Sequence, residues 1–518
     1  MTEITKPGSE TPPVGKLFWL VFFWLTIFVY LFGLSIPLLG PDEPRYAEVA
    51  REMFLRGDWV TPTLGGFNWF EKPALLYWFE ILFYKLFGIS EFASRLGPAL
   101  CGLGTIFSLW LVGKHIAPRS QFANWTAMIA ASTLSLIVFS RGASFDIVVT
   151  FPLTASLAGY IIHDLDEKKR RFPLFCFYLF IGIALLAKGL IGLVFPVMIV
   201  GFYLLFTRRW PDRTFLLSLI WGIPLFVLVA AIWYFPMYLR HGYQFIDEFI
   251  IQQHFQRFTS NKYQHPQPFI FFFWVLPLMT IPWLPLFLIA VWRALISLMR
   301  KFRELGRNVD ESPGSGSNNG EVPVTGFNET QITSFSLSWL LVPLLFFSFS
   351  GSKLPGYILP AVPAAILLST IELIRLMERR QALAKIAKTV AIATFVVVIA
   401  AIIFIVPSFA RKETVKGLLQ TANAKGYGSL SVAGFIVVSH NAEFYAAGRL
   451  VRDADGRQHR FVGPPELREY IDANGGHPVL VLTPIEYVRN LTNSDSIHAD
   501  VLDENGEIAI MIVRPKQL

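Results

Sequence analysis

Two neighbouring carboxylates, Asp42 and Glu43, stand between two prolines directly after the first long apolar run of the chain. Apolar side chains then recur at helical spacing until Gly57, which predicts a helix that begins near Asp42. One acid at such a position caps the helix. A carboxylate placed there can also accept the proton of an attacking hydroxyl. Capping needs one acid and does not explain the second, so the pattern favours catalysis and leaves the capping interpretation open.

Further candidates lie in other polar loops beside the apolar runs. Glu71-Lys72-Pro73 opens an apolar aromatic segment, His254 and Arg257 are three residues apart, and Lys353 and Tyr357 bracket a Pro-Gly turn. Each has a structural alternative, because an interfacial lysine often snorkels and a lone histidine is often structural. Together they supply carboxylates and fixed cations, which is what a site for a lipid-linked phosphate requires.

Composition shows which class of protein must position these side chains. Apolar residues make up 53% of the 518 residues and charged residues only 16%. This balance predicts an α-helical polytopic membrane protein. The net charge of +8 suggests anionic lipid headgroups or phosphates as partners, and no basic domain with interleaved aromatics indicates nucleic acid.

The apolar runs predict about eleven membrane spans, because each is long enough to cross about 30 Å of hydrocarbon. Three prolines in the run 269–298 predict a kinked or split span there. The predicted spans are 17–39, 94–112, 122–140, 145–163, 172–187, 189–206, 214–235, 269–298, 334–350, 357–376 and 387–407.

Lysine and arginine in the short loops predict the orientation. With the N-terminus inside, the inner loops are all basic, as the positive-inside rule requires. The first outer loop then carries two interfacial helices, one from Asp42 and one over 74–87, the latter too short to span. The predicted regions are a cytoplasmic tail (1–16), a transmembrane domain (17–407) with periplasmic loops 40–93 and 236–268, a disordered cytoplasmic linker (301–333) and a periplasmic domain (408–518).

The C-terminal region changes character. Short β-branched runs near 431–439 and 478–484 predict strands, residues 464–476 predict a helix stopped by glycine, and Asn505-Gly506 predicts a hairpin turn. We therefore expect a small α/β domain there, with a supporting role.

Six short motifs in order carry a family resemblance: PDEPRYAEVAREM, GDW, FEKP, AKG, HFQRF and SKLPGYIL. In these the chain resembles the bacterial lipid A aminoarabinose (4-amino-4-deoxy-L-arabinose) transferases, within the C-type membrane glycosyltransferases (GT-C) that include the protein O-mannosyltransferases. The resemblance covers about residues 17–376. It implies a GT-C fold with about 11–13 transmembrane helices, interfacial helices in the first outer loop and an outer soluble domain.

The resemblance also implies roles for particular residues. Asp42 matches the acidic catalytic position, and Asp146 matches an acidic position in the second outer loop, although Ile147 stands where the family has proline. Glu71 and His254 match positions of a divalent metal site (zinc, magnesium or manganese). The residues that match the phosphate-binding positions are Arg45, Lys72, Arg257, Lys353 and Tyr357.

The implied function is inverting transfer of an aminoarabinose-like or mannose-like sugar from a polyprenyl-phosphate carrier to lipid A or another envelope acceptor, on the periplasmic face of the bacterial inner membrane. A protein hydroxyl or a glycan remains an alternative acceptor. A lipid-linked sugar transporter or flippase is the alternative outside the enzymes. Transporters usually carry ionisable residues near the bilayer midplane, whereas these spans are almost free of charge at their centres.

Overall fold

The computed structural model describes residues 15–117, 121–256, 267–307 and 329–516. The chain forms two compact units. We call the first the helical unit; it comprises Met1–Phe32, Pro98–Ser140 and Phe145–Val397. We call the second the loop–sheet unit; it comprises Gly33–Gly97, Arg141–Ser144 and Val398–Leu518.

The helical unit consists of apolar helices whose buried faces are rich in aromatic side chains. Its core includes Trp233, Trp339 and Tyr203, all fully buried. Its helices are Lys16–Leu31, Phe122–Ala131, Leu134–Ser140, Phe145–Leu165, Phe172–Lys188, Ile191–Thr207, Arg213–Phe245, Ile246–Gln256 (π), Phe271–Met279, Leu284–Arg307, Glu329–Ser348, Pro355–Ala361 (3₁₀), Val362–Arg379 and Ala382–Ala400, with most of Glu91–Ile116.

The first apolar run is not one unbroken helix, and the prediction of a helical span over 17–39 is wrong in its second part. The helix ends at Leu31, and Gly33 adopts a φ of 74°, which favours glycine and breaks helical geometry. Leu34 and Leu38 follow in irregular backbone and are buried in the loop–sheet unit.

Two other apolar runs are broken. The run 122–140 forms the helices Phe122–Ala131 and Leu134–Ser140, which are bent by 59°. The run 269–298 is divided between Phe271–Met279 and Leu284–Arg307, as its prolines predict. Of the predicted linker 301–333, residues 308–328 lie outside the described residues, and the flanking residues are helical.

Within the described residues, six helices are long and apolar enough to cross a membrane, or seven with the bent pair counted once. Four shorter apolar helices are also present: Lys16–Leu31, Phe172–Lys188, Ile191–Thr207 and Leu284–Ile296. Adding these four to the seven gives eleven, the lower end of the predicted 11–13 spans, although each of the four is shorter than the about 20 residues that a span needs.

The loop–sheet unit joins the predicted first outer loop to the C-terminal region in one compact body. Its first part contains the first loop helix, Asp42–Arg56, the short hairpin β1 (Thr63–Leu64) and β2 (Phe67–Asn68), and the second loop helix, Leu75–Phe87. Its later helices are Ala401–Ile405 (π), Val406–Glu413, Lys416–Ala422, Asn423–Tyr427 (π), Ala442–Tyr445, Pro464–Ala473, Ile485–Tyr487 (3₁₀) and Val488–Thr492.

A five-stranded sheet lies in the C-terminal region, in the order β4-β3-β5-β7-β6. Its strands are β3 (Val432–Phe435), β4 (Arg460–Phe461), β5 (Val479–Pro484), β6 (Ile497–Glu504) and β7 (Ile508–Pro515). Strand β3 is parallel to β4 and β5, whereas β7 is antiparallel to β5 and β6. The hairpin at Asn505-Gly506 is confirmed, with Gly506 at φ 93°.

Candidate active site

Asp42 and Glu43 begin the first loop helix but make different contacts. Pro41 is the N-cap residue, and among the described residues no side chain makes a capping hydrogen bond there. The cap interpretation of Asp42 is therefore wrong. Asp42 instead binds Arg45 one turn later, at 2.5 Å, and its side chain keeps 53% of its exposure. The helix thus presents an accessible carboxylate that is held by a neighbouring cation.

Glu43 is committed to structure. Its carboxylate accepts hydrogen bonds from the backbone N–H groups of Leu39 and Ala143, both at 2.8 Å. It also pairs with Arg95 at 2.6 Å, and Arg95 in turn donates to the carbonyl oxygens of Leu34, Ile36 and Pro37. Because charge-assisted bonds of this kind are strong when buried, Glu43 fixes the chain that enters the helix.

Arg45 is the centre of a polar cluster in the loop–sheet unit. Its guanidinium donates to the Pro41 carbonyl at 3.0 Å and lies 5.9 Å from the centre of the Trp69 ring. Burial lowers the pKa of Arg45, but the interactions with Asp42, Tyr46 and Glu71 together outweigh burial, so the pKa of Arg45 is raised. Asp42 and Arg45, from the first motif, and Glu71, from the FEKP motif, therefore lie near one another.

The FEKP motif precedes the second loop helix and does not begin it. Leu75 is the first helical residue and Ala74 its N-cap, so Glu71, Lys72 and Pro73 lie in the approach to the helix. Glu71 and Lys72 are half-buried. The hairpin before them is held by Glu52, whose carboxylate accepts from the Thr63 hydroxyl and the Gly65 N–H, both at 2.5 Å.

A second group of predicted residues lies in the helical unit around Lys188. The Lys188 ammonium pairs with the Asp146 carboxylate and lies 4.9 Å from the centre of the Tyr357 ring. A Cβ at Gly356 would collide with Asp146, so glycine permits the turn to approach the carboxylate. Asp146 and Tyr357 are thus brought together, and Lys188, the lysine of the AKG motif, joins them.

Lys353 is buried, and its side chain points back towards the turn that carries it. Its ammonium donates to the carbonyl oxygens of Ser350, at 2.6 Å, and Gln267, at 2.9 Å. Burial lowers the pKa of Lys353. Its described contacts are therefore structural, whereas its predicted contact with a lipid phosphate stays a prediction.

Two predicted site residues lie outside what the structure describes. Arg257 is not among the described residues, and only the backbone of His254 is described, in the π-helix Ile246–Gln256. Among residues 15–117, 121–256, 267–307 and 329–516, no group of three or more His, Cys, Asp or Glu side chains is placed to hold a metal ion.

Sequence reasoning missed three residues around these sites. Lys188 lies in the AKG motif, and that motif was the available signal for it. No sequence signal pointed to Arg95, because an arginine near the start of an apolar helix is usually an interfacial residue. His440 was also missed; it lies in the C-terminal region, about 400 residues after Asp42, and the charges of Arg45 and Asp42 act on its imidazole.

Comparison with known proteins supports the family resemblance. A family model described as dolichyl-phosphate-mannose-protein mannosyltransferase matches residues 18–247. The undecaprenyl phosphate-α-4-amino-4-deoxy-L-arabinose arabinosyl transferase of Aeromonas hydrophila is 33% identical over 355 residues, 66% of this chain and 58% of the relative. That of Aeromonas salmonicida is 31% identical, over 68% of this chain and 60% of the relative. In sequence the chain is thus similar to these arabinosyl transferases.

Two solved structures share the fold of this chain. ArnT from Cupriavidus metallidurans bound to undecaprenyl phosphate superposes with a TM-score of 0.77 at 21% identity, over 96% of this chain and 98% of that one. Its apo state gives a TM-score of 0.75 at 21% identity, over 95% and 97%. The chain is thus a multi-pass membrane protein of this fold. In sequence it covers about three-fifths of the length of the Aeromonas relatives.

Proposed function

We propose that this protein is an integral membrane glycosyltransferase. It transfers an aminoarabinose-like sugar from a polyprenyl-phosphate carrier to lipid A, or to another acceptor of the cell envelope, with inversion at the anomeric carbon. The supporting observation is that Asp42 and Glu43 have different partners and different exposure. Glu43 holds the loop, whereas Asp42 is accessible and paired with Arg45, and by the family resemblance it matches the acidic catalytic position.

The proposed reaction exchanges one bond of the anomeric carbon for another. The bond from that carbon to the carrier phosphate breaks, and a bond to an acceptor oxygen forms. Cationic side chains stabilise the charge that develops on the departing phosphate, and Lys72, Arg45 and Arg257 are the proposed ones. When the acceptor is a hydroxyl, Asp42 takes its proton. When it is a phosphate no proton need be removed, and Asp42 orients the reacting groups.

The second set of residues has a proposed role of the same kind. Asp146 is the second acidic residue of the proposed reaction, and Lys188 holds its carboxylate beside Tyr357. Tyr357 and Lys353 are proposed to contact the lipid phosphate. Since the Lys188–Asp146 pair is only partly exposed, removing either partner leaves a poorly solvated charge.

A divalent cation is proposed on Glu71 and His254, since zinc accepts oxygen and nitrogen ligands together. Two protein ligands do not close a site, so phosphate or water completes it. Metal analysis of purified protein, with and without His254→Ala, tests this. We expect less bound metal in the variant, and equal content in both proteins would remove the proposal.

The location follows from the proposed orientation. The basic loops lie on the cytoplasmic side of the inner membrane, which places the first outer loop and the C-terminal region in the periplasm. Lipid-linked donors and lipid A are accessible to an enzyme there.

The deciding experiment is the mass of lipid A and of envelope glycans from cells with and without the protein, followed by transfer with purified protein and defined donors. Lipid A that gains the mass of one aminopentose only when the protein is present supports the proposal. Glycosylated protein in place of modified lipid A favours the mannosyltransferase-like alternative, which the match over residues 18–247 supports. Movement of the donor across vesicles without product indicates a flippase.

A further inference from the structure

Residues 439–446 of the C-terminal region are packed on the first loop helix. The Phe444 ring is buried with Ala47 and Leu38, and the Arg51 guanidinium lies 5.9 Å from the centre of that ring. The Tyr445 hydroxyl accepts a hydrogen bond from the Leu38 N–H at 2.8 Å and donates to Glu91 at 3.0 Å. The helix that carries Asp42 and Arg45 is therefore held from its side by this segment.

The same segment is also fixed within the C-terminal region. Glu443 forms an ion pair with Arg452, with side-chain exposures of 5% and 10%, and accepts a hydrogen bond from Gln458 at 2.6 Å. The Asn441 amide donates to the Glu413 carbonyl at 3.2 Å. Because Asn441 and Glu443, which follow His440, are both held by these contacts, the fold sets the position of His440.

His440 stands at the surface end of this segment, and the charges of Arg45 and Asp42 both act on it. Partial burial lowers the pKa of His440, Arg45 lowers it further, and Glu443 and Asp42 oppose this. This direction favours the neutral ring, which has one N–H donor and one acceptor nitrogen. Neither nitrogen is hydrogen-bonded to any residue that the structure describes.

Another donor near Arg45 is also unused. The indole N–H of Trp69 is buried and has no hydrogen-bond partner among the described residues. A buried donor without a partner is unfavourable, and in folded proteins such a donor is usually satisfied by a ligand or a water. The Arg45 guanidinium, the Trp69 indole and the His440 imidazole thus bring N–H donors to the surroundings of Asp42.

We propose that the C-terminal region takes part in transfer through His440, which donates a hydrogen bond to a substrate phosphate oxygen beside the Asp42–Arg45 pair. This inference rests on the proposed function and gives the C-terminal region a direct part in the site. The phosphate belongs either to the polyprenyl carrier or to the acceptor, because both present the same oxygens to an N–H donor.

The test compares His440→Ala, His440→Asn and a matched control, His477→Ala, at a surface histidine of the same region. Each purified protein is assayed for binding of undecaprenyl phosphate and for the KM of donor and acceptor, with melting temperature as the check on folding. We expect His440→Ala to lose about tenfold in one of these affinities, typical of one hydrogen bond to a charged group. His440→Asn, which keeps an N–H donor, recovers part of the loss, and His477→Ala matches the wild type.

The two sources of phosphate give different results. Weaker binding of undecaprenyl phosphate indicates the carrier, and a raised acceptor KM with unchanged carrier binding indicates the acceptor. If His440→Ala matches the wild type in binding and both KM values, the inference is overturned while the proposed function stands. If the wild type itself transfers no sugar, the proposed function fails, and carrier binding alone then decides on His440.

Discussion

Asp42 and Glu43 are adjacent in sequence, and the fold uses them differently. Glu43 has two backbone N–H groups and the Arg95 guanidinium as partners, whereas Asp42 has Arg45 and solvent. A group that acts on substrate needs access, and a group that holds backbone needs buried donors. Substituting Asp42 should therefore affect transfer, whereas substituting Glu43 should affect stability.

Asp42→Asn should leave the protein folded and reduce transfer about a hundredfold or more, as expected for loss of a positioned base. The change keeps the side-chain size and removes the charge. Transfer and carrier binding are measured on the same purified variant, and we expect binding to persist. Transfer at the wild-type rate would mean that Asp42 has no part in the chemistry.

Glu43→Gln is the matched contrast to Asp42→Asn. It leaves Arg95, whose side chain is only 5% exposed, without its anionic partner. Removing one member of a buried pair costs about 3–5 kcal/mol, so we expect a lower melting temperature rather than a specific loss of turnover.

Lys72→Ala should abolish transfer while the amount of folded protein in the membrane stays unchanged, because Lys72 is proposed to act as a point charge on the lipid phosphate. Lys85→Ala is the control, since Lys85 is exposed on the second loop helix. Normal transfer by the Lys72 variant at normal expression would reduce this lysine to an interfacial anchor.

Individual residues differed in how far the sequence revealed them. The clustering of Asp42, Arg45 and Glu71 was predictable, because their motifs are short and recur in a family order. The Lys188–Asp146 pair was not, since 42 residues separate the partners and each has an ordinary explanation alone. The inward turn of Lys353 depends on the carbonyl of Gln267, which no local pattern reveals.

The first loop helix carries a fully buried acid, Glu48. Its carboxylate accepts from Arg51 at 2.6 Å, which favours the charged form. Burial outweighs this ion pair, and the nearby charges of Glu52 and Glu443 add to it, so the pKa of Glu48 is raised to about 8. The helix is therefore packed around a carboxylic acid that is mostly neutral at neutral pH.

This raised pKa predicts a pH dependence of stability. Because the folded-state pKa of Glu48 lies above its unfolded value of 4.5, its contribution is complete below about pH 4.5 and is lost as the pH rises towards 8. The loss is at most about 1.4 kcal/mol per pH unit. Glu48→Gln should flatten the fall of melting temperature between about pH 5 and pH 8.

Glu469→Gln removes one charge at an exposed position and serves as the control. If the melting temperatures of the wild type and of Glu48→Gln fall equally with pH over that interval, Glu48 does not titrate there.

Elements were more predictable than their ends. The helices Phe145–Leu165 and Phe172–Lys188 agree closely with their apolar runs, because a long run has few alternatives in a membrane. The end of the first helix at Leu31 was missed, since Ile36, Leu38 and Leu39 look like a continuing span although Leu38 is buried in the loop–sheet unit. Apolar composition does not distinguish burial in protein from burial in lipid.

At the scale of the whole molecule, the proposed orientation has a direct test. A reporter fused after Arg380 should be cytoplasmic, and one fused at Leu518 should be periplasmic, because the basic loops stay inside. Reporters on the same side would place the proposed site in the wrong compartment.

The composition of the loop–sheet unit from distant segments could not be read from the sequence. Hydropathy predicts an outer loop and a separate outer domain, but not that Lys416 pairs with Glu91 at 2.5 Å or that Arg452 packs against Gly65. The partners of such a pair lie hundreds of residues apart in sequence, and each partner is of a residue type that is common at protein surfaces. The family motifs predicted the general fold, whereas these contacts are visible only in the three-dimensional structure.

The hydrogen bond from the Leu38 N–H to the Tyr445 hydroxyl joins residues 407 positions apart. At a synthesis rate of about 5–20 residues per second, the ribosome needs about 20–80 s to pass from one partner to the other. During that time the first loop helix exists without Phe444, Tyr445 and the segment that covers its side. The surroundings of Asp42 are therefore completed only after 407 further residues have followed Leu38, and until then the helix that carries Asp42 lacks the segment that covers its side.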